Sequence, residues 1–168
     1  CAERTMIRRN FEHPIQVGLS FGLVSGVITS LGLVVGLTVG TQSRIAVIGG
    51  IVTIAIADSL SDALGIHISE EAESVHSPME VWIATGVTFL TKFAVASSFL
   101  VPVLLLGFEK AVWVSIAWGI ARVAALSWYI AGRQMTSRTA VRAEHDGVAV
   151  LVVVASALVG RWVSATFA

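Results

Sequence analysis

Charge is scarce in this sequence: only 13% of residues are Asp, Glu, Lys or Arg, far below the usage of a water-soluble domain. The single cysteine, Cys1, has no partner, which excludes a disulfide framework and a thiolate metal cage. Eleven acids balance eleven bases, so no net field draws nucleic acid to the chain. Phosphate-cradling glycine loops, nucleophile motifs and the His-Glu-x-x-His zinc pair are all missing, and an enzyme is not expected. With three prolines in 168 residues, little interrupts long helices.

What remains is apolar. Hydrophobic residues make up 55% of the chain and the mean hydropathy is +0.84, so lipid rather than water is the expected solvent. A spanning helix needs roughly 20 mostly apolar residues. Five stretches qualify, at about 15–40, 45–68, 79–106, 111–131 and 147–166, and they predict an all-α integral membrane protein forming one transmembrane domain over residues 1–168. The first stretch outruns a signal peptide and has no evident cleavage site after it, so it reads as a retained span. Arg4, Arg8, Arg9, Arg133, Arg138 and Arg142 fall on one side of the membrane; Arg44, Lys110 and Arg161 fall on the other. The positive-inside rule then puts the amino terminus in the cytoplasm, and a bacterial or archaeal inner membrane is expected ahead of an organelle membrane.

Within these spans four ionisable residues stand in the wrong solvent: Asp58 and Asp62 in the second, Lys92 in the third and Arg122 in the fourth. A charge near the bilayer centre costs about 2.5–3.5 kcal/mol on insertion scales, so each is a functional candidate. The two aspartates are four residues apart and share one helix face. Rising at ~1.5 Å per residue, Asp58, Lys92 and Arg122 come to similar depths. Two readings stay open: buried ion pairs that lock the helices, or aspartates that receive a cation or protons while the bases tune them.

A second cluster, His67, Glu70, Glu71, Glu73 and His76, sits where the second span ends. If the helix continues, His67 pairs with Glu70 or Glu71 at i,i+3 and i,i+4 spacing, a mixed donor set suited to iron(II), manganese or zinc; a plain solvated helix end is the other reading. In the first span Gly18, Gly22 and Gly26, and then Gly32 and Gly36, stand at four-residue spacing and predict close helix packing, with Ser25 as a small polar contact. Trp82, Trp113, Trp128 and Trp162 near span ends read as interfacial anchors, and Pro102 as a kink in the third span.

The run Phe21-Gly22-Leu23-Val24-Ser25-Gly26, continuing through Leu31-Gly32-Leu33 to Gly36, resembles the opening helix of the vacuolar iron transporter family, with its pattern FGLxDGxxxxLGLxxG. The run Ala57-Asp58-Ser59-Leu60-Ser61-Asp62-Ala63-Leu64-Gly65, followed by Ser69, resembles that family's ADxLSMxLGEYxS stretch. The resemblance implies a five-span homodimer that exports iron(II) or manganese from the cytoplasm in exchange for protons, with the ion as cargo and no permanently bound cofactor. Asp58, Asp62, His67, Glu70, Glu71 and Glu73 would then handle the ion, with Ser25, Lys92 and Arg122 along the pathway or pairing its charges.

The chain departs from the pattern in particular places. Ser25 stands where the family has aspartate and Asp62 where it has methionine, while Ile66 and His67 replace a glutamate and a tyrosine. The long metal-binding insertion between the second and third spans is absent, and Lys92 and Arg122 are additions. The alternatives are a relative of the same fold that carries protons or another ion, and a membrane scaffold that transports nothing.

Overall fold

Long apolar runs that almost lack proline fold as long helices, because only internal hydrogen bonding satisfies a backbone in lipid. In a computed structural model the described residues are 2–73, 75–133 and 138–167, without side chains for 2–11, 127, 129–133 and 138–146. They form α1 (Ala2–Thr41), α2 (Arg44–Ala72), α3 (Pro78–Ser98), α4 (Leu100–Leu105), α5 (Phe108–Arg133) and α6 (Arg138–Phe167), and no strand occurs among them. The fold is all-helical.

Four segments are long and apolar enough to cross a membrane: Glu12–Thr41, Arg44–Ala72, Pro78–Leu105 and Gly147–Phe167. They match four of the expected stretches. The remaining one, 111–131, falls within α5, where residues 127 and 129–131 lie outside the described side chains. The same holds for Arg4, Arg8, Arg9, Arg133, Arg138 and Arg142, on which the expected orientation rests.

Local chemistry sets the helix boundaries. Gln42, at φ 50°, closes α1 in the left-handed conformation and donates its N–H to Thr38 O at 3.0 Å. Ser43 then caps α2, accepting from the Ala46 N–H at 3.3 Å. Ser77 and Glu80 form a reciprocal capping box at the start of α3, with Pro78 in the first turn, where a missing N–H costs nothing. Pro102 has no N–H to offer Ser98 O four residues back, and the third expected span accordingly breaks into α3 and α4 there. Arg44 bridges to the far end of that segment, donating to Val103 O at 2.9 Å and Leu104 O at 2.7 Å.

The glycines of α1 do what their spacing predicts. Helix α1 packs against α2, α3, α5 and α6, and its glycines open two faces. A Cβ on Gly18 would lie 2.8 Å from Ala84 O, and one on Gly22 2.9 Å from Thr88 O, so α3 rides directly on this part of α1. Further along, Cβ atoms on Gly32 and Gly40 would meet Ser156 Oγ at 3.2 Å and Gly160 Cα at 3.4 Å on α6, and Gly36 faces Ser156 as well. Val27, Leu31, Val34, Val47, Ile51 and Phe99 form the buried core around these crossings.

Candidate intramembrane charge site

The close approach of α1 and α3 decides where Lys92 goes. Gly22 and Gly26 leave room for its backbone and stem, since a Cβ on Gly26 would sit 3.4 Å from Lys92 Cγ. The side chain is 1% exposed and directs its ammonium at α2. There Nζ lies 2.6 Å from Asp58 Oδ2, as an ion pair without hydrogen-bond alignment, and it also donates to Asp62 Oδ2. The i,i+4 spacing of the aspartates thus brings both carboxylates to one cation.

Ser25 joins them from α1. Its hydroxyl accepts from Lys92 Nζ at 3.0 Å and donates to Asp62 Oδ2 at 2.6 Å. Three helices contribute to one cluster, with one ammonium, two carboxylates and one hydroxyl. The aspartate side chains keep 30% and 20% exposure while Lys92 is enclosed, so the acids form the open side of the site. Ion pairing of the buried lysine accounts for its stability, because an unpaired ammonium at this depth would be strongly unfavourable.

Arg122 does not complete this layer. Its guanidinium donates to Ser98 Oγ at 2.6 Å and stacks 4.6 Å from the Trp118 ring centroid, and it makes no salt bridge among the described residues. Equal depth along separate helices placed it with the aspartates in the sequence reading. Rotation of α5 about its axis, which depth does not report, turns it towards α3 and its own Trp118.

At the other end of α2 the helix continues past Ile68 to Ala72, but it divides the expected cluster. His67 Nδ1 lies 3.0 Å from Thr85 Oγ1, and its ring meets Trp82 edge-on at 4.6 Å. With Glu71 and His76 it borders a small cavity of about 120 Å³. Glu70 turns inward and is buried, whereas Glu71 and Glu73 are exposed. Beside Glu70 stand His76, with Nε2 3.4 Å from Glu70 Oε2 and 3.5 Å from Glu73 Oε2, and His13 of α1, whose ring stacks on His76 at 5.3 Å.

His13 was missing from the sequence reading. Its signal was nonetheless present: it immediately precedes the first span, and a chain that crosses twice returns residues 70–76 to the same end. Comparison with protein-family models, with curated proteins and with solved structures finds no match to this chain.

Proposed function

We propose that this chain is a five-span membrane transporter, amino terminus in the cytoplasm, that exports iron(II) or manganese through Asp58 and Asp62 in exchange for protons. The observation that carries the reading is a charge imbalance: among the described residues one base, Lys92, faces both Asp58 and Asp62. A pure ion-pair lock needs one acid per base. Here a second carboxylate leaves the site one negative charge in excess, and a net charge in hydrocarbon costs a few kcal/mol. The site therefore has a place for one more proton or for a cation.

The exchange balances. A divalent ion taken by both carboxylates displaces two protons from the site, so the charge that enters equals the charge that leaves. Metal and protons compete for the same oxygens, so a gradient of either drives the other. Ser25, hydrogen-bonded to both Lys92 and Asp62, provides a proton route between them. The resemblance of the first two spans to the vacuolar iron transporter pattern supports the cargo and the homodimer. In the homodimer of this reading the contact would use surface other than the glycine faces of α1, which α3 and α6 cover.

One observation favours a second reading. The Lys92 ammonium already occupies the point between the carboxylates where a metal cargo would sit, which suits a carrier of protons or of an organic cation. Proteoliposomes separate the two. Uptake of iron(II) or manganese against an opposing proton gradient, lost in Asp62→Ala, is expected; no uptake of either ion, or an Asp62→Ala variant as active as the parent, overturns the metal reading.

A further inference from the structure

His13, Glu70 and His76 each offer one donor atom, and these atoms lie within 4.8 Å of one another. They come from three separate stretches: α1 about three turns after its first residue, the last turns of α2 and the connection to α3. Sequence separation rules out a local accident of one helical turn. Glu70 is the decisive member. Its side chain is 8% exposed and its Oε2 is buried with no hydrogen-bond partner, an unfavourable state for a carboxylate oxygen.

The spacing of the neighbours explains what that oxygen is arranged for. His76 Nε2 stands 3.4 Å from Glu70 Oε2 and 3.5 Å from Glu73 Oε2, beyond good hydrogen-bond range. A tetrahedral ion held at about 2.0–2.2 Å sets its ligand atoms roughly 3.3–3.6 Å apart. Two imidazoles and a carboxylate form the donor set for borderline divalent ions such as zinc, iron(II), manganese and cobalt(II).

We propose that His13, Glu70 and His76 form a divalent-metal site that clasps α1 at His13 to the end of α2 and the α2–α3 connection. It is separate from Asp58 and Asp62 and does not depend on the transport reading. Cobalt(II) titrated into the purified full chain in detergent, followed by visible absorption, tests it. One ion per chain is expected at this site, with affinity falling at least about tenfold in His13→Ala and in Glu70→Gln. Asp62→Asn keeps this binding, which separates failure of the clasp from failure of the transport proposal. His76→Cys retains a ligand, so it should still bind cobalt and add a thiolate absorption band, showing that loss in the other variants is not misfolding. The site is refuted if the parent binds no cobalt, if the His13→Ala/His76→Ala double variant binds as the parent does, or if binding follows Asp62 instead.

Discussion

Removing the charge of Lys92 should destabilise the protein more than removing the whole charged cluster. At 2.6 Å, and with an effective dielectric near 20, the Lys92–Asp58 attraction is about 6 kcal/mol before desolvation is subtracted. Lys92→Met keeps the length of the stem but leaves two carboxylates facing each other with no cation. Breaking a buried pair in this way typically costs about 3–5 kcal/mol. For a chain of 168 residues that corresponds to a fall of roughly 10 °C in the thermal midpoint. Adding Asp58→Asn and Asp62→Asn removes the stranded charges, and the triple variant should recover most of the loss, because an ion cluster contributes little over a neutral replacement. Thermal unfolding in detergent measures both variants. The reasoning fails if Lys92→Met melts with the parent, or if the triple variant is no more stable than Lys92→Met. Ion uptake then separates a structural lock from a transport site: a recovered but inactive triple variant is the outcome expected of transport, and full activity would leave only the lock.

Three further predictions rest on packing and capping. Gly22→Ala drives a methyl to 2.9 Å from Thr88 O, a backbone atom that cannot step aside, so a loss of about 1–3 kcal/mol is expected by thermal unfolding. Gly65→Ala meets nothing within 4 Å and should be neutral or stabilising by up to about 1 kcal/mol in the same assay. Ser77→Ala removes the side-chain half of the capping box at α3, leaving the backbone N–H of position 77 on Glu80 Oε2, and should cost about 1 kcal/mol, with faster amide exchange in the first turn of that helix. Among the described residues Arg122→Gln disturbs Ser98 and Trp118, so any ion uptake should stay near the parent's; a loss as large as that of Asp62→Ala would tie Arg122 to the pathway after all.

Along each helix, the sequence was a sound guide. Hydropathy located the four shown segments, the spacing of Gly18, Gly22 and Gly26 announced a close crossing, and the four-residue step from Asp58 to Asp62 put both acids on one face. These are properties of a single helix, and 3.6 residues per turn is enough to derive them. Which helix lies opposite is a different kind of information. It depends on rotation and crossing angle, so Lys92 and Arg122 were indistinguishable by depth although only Lys92 reaches the aspartates. For the same reason His67 and Glu70, adjacent by spacing, part company: one turns to Thr85 and Trp82, the other to His76 and His13.

Helix α2 carries both groups of acids, and its geometry keeps them apart. From Asp62 to Glu70 is eight residues, about 12 Å of rise and roughly 80° of rotation. One ion cannot bridge that distance, since a carboxylate oxygen binds within about 2.0–2.2 Å. The proposed binding at Glu70 and the proposed exchange at Asp62 would therefore be separate events on one helix. The surroundings differ accordingly. Asp58 and Asp62 meet a lysine that already neutralises one of them, which suits reversible exchange, whereas Glu70 meets two histidines that bring no charge when neutral and therefore leave the demand for a cation unmet. Under the two proposals, a retained ion would sit at the second place and a travelling one at the first.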